Sequence, residues 1–472
     1  MFVALPIAGA AQMSFDPTLA EIRFGCGLSP RSAPPGSVRD VLRGLTEPDA
    51  MAQRFPIEEF DTFLLRIQDR MQHARIYRQN RETEIGEAAR MAMRDINVQA
   101  RRDSASWMAA MLARRIETGT GLRERLVAFW ADHFTATGKS NVIRRGTSPY
   151  IESAIRPRIA GSFEDLLIAA VTHPLMVHYL DQTGSVGPNS ARSVETGTGG
   201  LNENLAREVL ELHTLGVGGP YTQDDVTELA KLLTGLGLSP KSGRTFRKAF
   251  AEPGPETVLG RSYGGAKPGF RDIEMVLRDL ARHPATARHI ATKLAVHFVA
   301  DQPDPALVAA LDAAYQRSGG NLLTVYEALL THPVAWSPVL RNVKPPFDFV
   351  ASALRALGAP AVRLAALKER PLRLTILHPL ALMGQVWQEP DGPDGLPEED
   401  SAWITPQGVA ARLQWAIAMP ERLVPALPDP RDFVETALGS FASPAVRFAA
   451  EAAESRADGI GLVLASPAFQ RM

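Results

Sequence analysis

The chain has 472 residues, of which 45% are hydrophobic and 22% charged, proportions of a globular protein that exclude disorder and collagen-like repeats. Lys and Arg number 51 against 52 Asp and Glu, leaving a net charge of −1, so no global field exists to hold nucleic acid or an anionic membrane. One cysteine, Cys26, excludes an intramolecular disulfide and a thiolate-rich zinc site.

The N-terminus, MFVALPIAGAAQMSF, is apolar but carries no Lys or Arg before Arg23, so it lacks the basic region of a secretory signal. A soluble, cytoplasmic protein is the default expectation, with export from a different start site left open. Basic residues are skewed to 43 Arg and 8 Lys. Richness in Ala favours compositional bias over a functional use of the guanidinium.

In chain order, Ser37 is expected to cap a short helix through Leu45, with Asp40 completing the cap. Residues 57–115 are rich in Arg and Gln, with Gly86 as the only breaker. Phe60, Phe63, Leu64, Ile67 and Met71 keep an i, i+3, i+4 stripe there, which predicts two or three helices with solvated outer faces. Interruption by Glu58, Glu59, Asp61, Glu82, Glu84 and Glu87 argues against a nucleic-acid arm. Residues 166–180 are too short for a membrane span and are broken at His173-Pro174, so two buried helical pieces are expected. Loops fall where Gly and Pro cluster, at 118–121, 183–200, 235–269 and 388–401. The third holds the best strand candidates: 245–247 and 257–259 flank Pro253-Gly254-Pro255 and predict one small hairpin. Beyond Phe270 helices of about 10–15 residues return. The fold class expected is therefore all-α, a large multi-helical unit with a small β-hairpin insertion. Residues 1–30 form an N-terminal segment and 31–472 a single domain, divisible into lobes 31–235 and 270–472 joined by 236–269.

His-Pro recurs after apolar helices at His173, His283, His332 and His378, and Ser466-Pro467 ends the chain similarly. Proline past a helix end stops it, and histidine in the last turn covers free carbonyls, so capping is preferred to metal ligation. Gly138-Lys139-Ser140 imitates a phosphate loop, but His133 stands where its first glycine belongs. The Thr-Gly repeats at 118–121 and 196–199 precede helices and are weak candidates for anion sites. Asp391, Asp394, Glu398, Glu399 and Asp400 lack calcium-loop spacing and read as a solvated loop. Neither a Gly-x-Ser-x-Gly elbow nor a His-Glu-x-x-His pair is present.

The most polar helix is LNENLAREVLELHTLG, residues 201–216. Leu205, Ala206, Val209, Leu210 and Leu212 share one arc with His213 near its middle, while Glu203, Asn204, Arg207, Glu208 and Glu211 fill the other. Glu203–Arg207 and Arg207–Glu211 are i, i+4 pairs, which suits a salt-bridged surface helix. Asn204, Glu208 and Glu211 also form an i, i+4, i+7 row of potential ligands or acid–base groups. Gly216 supplies the stop, and Thr222 with Asp225 a capping box for the next helix. In LVAFWADHF, Leu122, Leu126, Phe129 and His133 lie on one stripe, which points His133 inward.

Taken in order, LVAFWADHF, HPLMVHYLD and NENLAREVLELHTLGVGGPYTQDDVTELAKLLTG resemble the core of the bacterial domain-of-unknown-function family 1800. HPATARHIATKLAVHFVADQP, Lys344-Pro345-Pro346 and a Gln385…Trp403…Arg412 segment extend the likeness from Arg23-Phe24-Gly25 to the terminal SPAFQ. The resemblance implies a predominantly α fold, no established activity, and a sulfatase-like companion protein encoded nearby. Its pattern falls on His133, Asn202, Glu203, Asn204, Arg207, Glu208, Glu211, His213, Gly216, Tyr221 and Asp225. Many relatives carry a His and a Lys where this chain has Ala251 and Glu256.

Two functional readings follow. One places a polar pocket between helices 122–134 and 202–214, with Glu208 and Glu211 as general bases or metal ligands. Arg207 would be an anion clamp, His133 an acid–base partner, and Asn202, Glu203, Asn204, Tyr221 and Asp225 ligand contacts. Carboxylate with imidazole would suit zinc, manganese or iron, though no cofactor is identified. The other makes the same residues a buried structural network in a non-catalytic scaffold or accessory protein for the sulfatase-like partner. Either way Glu208 and Glu211 should be partly buried, with Arg207 or a His within hydrogen-bond reach of one of them.

Overall fold

The computed structural model describes residues 14–197 and 199–472. Among the described residues helices predominate, and the strands are confined to two antiparallel hairpins, one after the other, between Leu236 and Tyr263. The mostly helical fold expected from periodicity is thus present. Among the described residues no helix is long and apolar enough to cross a membrane.

Ser37 caps the helix Val38–Thr46 by accepting from the Asp40 amide, as the sequence predicts. The Arg-rich stretch forms an antiparallel pair, Phe60–Gln79 and Glu84–Glu117. Its break lies at Asn80–Thr83 rather than at Gly86. Gly86 sits inside the second helix, where Thr83 caps its amide and a Cβ would lie 1.8 Å from the Asn80 carbonyl oxygen. The glycine therefore permits a tight corner without interrupting the helix. Residues 166–180 fall into two buried pieces, Phe163–Val171 and Pro174–Tyr179, as expected.

The single hairpin predicted from 245–247 and 257–259 is corrected. Leu236–Ser239 pairs with Gly243–Phe246, and Glu256–Val258 pairs with Arg261–Tyr263. Each strand finds its nearest neighbour across a short turn, which costs less chain entropy than closing the longer loop between them. The Pro253-Gly254-Pro255 segment connects the hairpins instead of forming a hairpin turn.

The His-Pro reading is corrected in its direction. His173, His283 and His332 accept the amides of Leu175, Ala285 and Val334 at Nδ1, 3.1, 3.1 and 3.4 Å away. They are N-caps of the helix that follows, with proline at its first position, and do not cover carbonyls of the helix before. Ser466 does the same for Pro467–Gln470, whereas His378 lies within a continuous helical run.

Arginine is more than a compositional residue here. Arg355 is buried and donates to the carbonyls of Gly27, Ile116 and Thr118 at 2.7, 3.0 and 2.8 Å, closing the end of the long helix. Arg123 does likewise for Gly44, Leu45 and Glu47 at the end of Val38–Thr46. Only a forked, five-donor head satisfies several orphan carbonyls at once. One continuous apolar cluster runs from Leu19 to Phe469 and draws on helices both before and after the hairpins. The helix Gly121–His133 is embedded in it.

Candidate functional site

The polar helix begins at Asn204 and passes at Val209 into a π-helical turn, Val209–Thr214. The Leu215 amide reaches back to the Leu210 carbonyl at 2.9 Å, and the Thr214 hydroxyl donates to the Val209 carbonyl at 2.6 Å. Asn202 caps the start, its Oδ1 accepting from the Asn204 amide at 2.9 Å, and Asn204 itself is exposed.

The outer face is a closed ladder. Arg207 meets Glu203 at 3.3 Å and Glu211 at 3.4 Å, and Glu203 also accepts from Thr227 at 2.8 Å and Gln223 at 2.9 Å. Tyr221 lies beside Glu211, and burial and then that carboxylate's charge push its hydroxyl up. Asp225 closes the Thr222 capping box and accepts from the Leu259 amide at 2.7 Å, pinning the second hairpin. Glu208 and Glu211 are half-buried and Arg207 reaches Glu211, as anticipated. Burial, with Glu211 and Asp394 nearby, raises the Glu208 carboxyl above its ordinary range, against the pull of Arg207.

His133 does not join these carboxylates. Its Nε2 lies 3.3 Å from the His213 carbonyl oxygen, and His289 Nε2 lies 3.1 Å from that of Leu212. Both carbonyls are at the end of the polar helix, where intrahelical donors run out. Two imidazoles from other helices therefore cap that terminus. Burial holds His133, His213 and His289 well below the usual imidazole range, His213 at about 3 and His289 at about 4. All three are neutral at physiological pH, and His133 and His289 are the donors, both ring nitrogens of His213 being buried without a partner. Gly216 belongs to the same arrangement: its φ is +89°, and a Cβ there would lie 2.9 Å from His289 Nδ1. Among the described residues no group of three or more His, Cys, Asp or Glu is arranged to hold a metal ion.

A cavity lies elsewhere. A cleft of about 180 Å³, partly open to solvent, lies along Glu124, Val127, Ala128, Ala131, Asp132 and Thr135. On the helix Gly121–His133 these positions occupy the face opposite Leu122, Leu126, Phe129 and His133. The pocket expected on the His133 side is thus displaced to the other side of the same helix, because large aromatic side chains fill the first side. Phe129, Trp130, Phe134 and Phe163 pack around His133.

Three arginines and five carboxylates line the cleft. Arg114 forks onto Glu152 at 2.7 and 3.1 Å, Arg156 onto Glu124 at 2.6 and 2.9 Å, and Arg115 pairs with Asp348. Asp132 and Glu398 remain. Glu398 Oε2 is 3.0 Å from His297 Nδ1, and His297 Nε2 is 3.3 Å from Arg125 Nη2. This chain fixes the tautomer: Nδ1–H donates to Glu398 and Nε2 accepts from Arg125. Burial alone would raise Glu398, but His297, Lys293 and Arg125 outweigh it and hold the carboxyl below its usual range. The expectation of a solvated acidic loop therefore fails at Glu398. It fails also at Asp400, which accepts from the Val343 amide and from Arg471.

Asp132 is the contrasting carboxylate. Oδ1 accepts from the Leu396 amide at 2.9 Å, and no cation touches either oxygen. Burial pushes the carboxyl up to about 7; the Leu396 amide and Lys293 oppose this, while Glu398 and Asp394 add to it. Gly395 crosses directly over it with φ +84°, where a Cβ would lie 2.7 Å from Oδ2. Gln388 forms part of the wall in a left-handed conformation (φ +54°), held by Ser148 Oγ at 3.1 Å from its Oε1. Its Nε2 and the Trp387 Nε1 are buried without partners. Phe347, fixed by its amide to Gln385 Oε1 at 2.7 Å, lies 4.7 Å from the Trp387 ring.

A family model described as protein of unknown function (DUF1800) matches residues 23–471. The chain belongs to this family. No curated protein and no solved structure matches it. In this DUF1800 protein the separate strings that carry the resemblance converge on the cleft: Asp132, His297, Pro345, Gln385 and Trp403 all line it. Ala251 and Glu256, where many relatives differ, do not line it.

Sequence reasoning missed Asp132, His297 and Glu398. The signal for Asp132 was present: Glu124, Ala128, Ala131 and Asp132 make a helix face of small and acidic residues, poor at filling a core. His297 and Glu398 are 101 residues apart, and nothing local joins them.

Proposed function

We propose that the protein binds a small organic molecule in the cleft and exchanges a proton with it through Asp132. The observation that carries this reading is a half-buried carboxyl in a partly open cleft, with one oxygen held by a backbone amide and neither paired with a cation. Such a group holds its proton near neutral pH and gives or takes it at little cost, the property of a general acid or base. Its neighbour Glu398 is pushed in the opposite direction by His297, and a pair of carboxyls separated in this way divides the roles of proton carrier and fixed charge. Phe347, Trp387 and Trp403 give the ligand an apolar wall. The polar helix, including Arg207, Glu211, Asn202, Glu203, Tyr221 and Asp225, is read as the structural network that secures one side of this arrangement.

Ligand-observed NMR with a panel of aromatic fragments tests the reading. Fragments should bind the wild-type chain and be excluded by Ala131→Trp, which fills the cleft beside Asp132. Binding that is unchanged in that folded variant would place the ligand elsewhere and end the proposal.

A further inference from the structure

Resting on the reading of the cleft as a ligand site, the arrangement of charge along it narrows the class of ligand. Every arginine in the lining is already matched to its own carboxylate: Arg114 to Glu152, Arg156 to Glu124 and Arg115 to Asp348. Arg125 behind the wall is shared between Asp348, at 3.2 Å, and His297. What remains without a paired cation is Asp132, while Glu398 beside it is held by His297 and drawn on by Lys293 and Arg125. Glu398 and Asp394 add negative potential at Asp132, and Lys293 opposes it there. An anionic ligand would meet this field without a free guanidinium to receive it. A cation would meet two carboxylates and the indoles of Trp387 and Trp403, which attract positive charge, whereas the Phe347 ring already carries the Arg115 guanidinium 4.7 Å from its centroid.

We propose that the cleft selects an organic cation, an amine carried on an apolar or aromatic body, with its ammonium group against Asp132 and Glu398. Ammonium binding favours the ionised form of Asp132, so between pH 6 and 7 association should expel a proton.

The test uses three probes of similar shape, 2-phenylethylamine, 2-phenylethanol and phenylacetate, titrated calorimetrically into the full chain at pH 8 and pH 5.5. The amine should bind about tenfold or more tightly than the alcohol at pH 8, with phenylacetate weakest. This preference should shrink at pH 5.5, where Asp132 is protonated, and in Asp132→Asn at pH 8. The wild-type pH series needs no variant and so stands even if the substitution disturbs folding. If the alcohol or phenylacetate binds as tightly as the amine at pH 8, the cleft stays a ligand site and its cation preference is refuted. If none of the three binds, both the preference and the ligand-site reading fail for molecules of this size.

Discussion

Asp132→Asn should make the protein more stable above neutral pH and leave it unchanged in acid. The carboxyl lies at about 7 in the folded chain against an ordinary 3.8, chiefly because burial disfavours its charged form. Each pKa unit corresponds to about 1.4 kcal/mol, so the ceiling on the penalty for ionising Asp132 in the native state is about 4 kcal/mol. Solvent reaching the open side of the cleft reduces this to about 2 kcal/mol. Asn keeps the acceptor for the Leu396 amide and removes only the charge.

The sign follows from proton counting. Between pH 4 and pH 7 the folded chain holds a proton that the unfolded chain has released, so stability falls as pH rises through that window. Below it both states are protonated and the variant gains nothing. An unfolding entropy of about 2 cal/mol/K per residue gives roughly 1 kcal/mol/K for a chain of this length, so Tm should rise by roughly 2–4 °C at pH 8. Differential scanning fluorimetry of both proteins from pH 4 to pH 8.5 measures the difference. A gain independent of pH, or a variant less stable at pH 8, would refute the account of Asp132 as a carboxyl held against its solvation.

Two further substitutions test the caps. His283→Ala should cost about 1 kcal/mol in denaturant unfolding at pH 7.5 and His283→Asn much less, since Asn restores an acceptor for the Ala285 amide. Burial lowers the His283 imidazole, so its cap is complete above the unfolded value near 6.5 and is lost as pH falls through the folded one; the cost of His283→Ala should shrink in acid. Gly216→Ala should cost at least about 1–2 kcal/mol, because φ +89° strains an L residue and the new Cβ would press on His289. A neutral result by thermal unfolding would remove the imidazole cap from the explanation of that helix end.

How far the fold was legible depends on the range over which each signal acts. The caps at Ser37 and Thr222 and the break at His173-Pro174 were readable because each is decided within four residues. Gly86 was misread because its role depends on the Asn80 carbonyl folding back over it, a corner that composition does not reveal. The hairpin residues were recognised but their partners were not, since strand propensity says which residues extend and not which ones pair. At the site, i, i+4 spacing foretold the Arg207 ladder, which Gln223 and Thr227 extend. Asp132 could not be singled out in this way: it stands alone in sequence among alanines and a tryptophan, and its acidity is shifted by residues 264 and 266 positions away.

Asp132 and His133 are neighbours in sequence with opposite tasks, and the helix that carries them connects the two regions. His133 points into the aromatic core and holds the carbonyl end of the polar helix. Asp132, one position earlier and about 100° around the axis, faces the cleft. Any shift of the polar helix along its axis would act on His133 and through it on the last turn of Gly121–His133, which sets where the Asp132 carboxyl sits beneath Gly395. Rigid partners on one face of a helix are what hold a single carboxyl on the other face within the narrow tolerance that proton transfer demands.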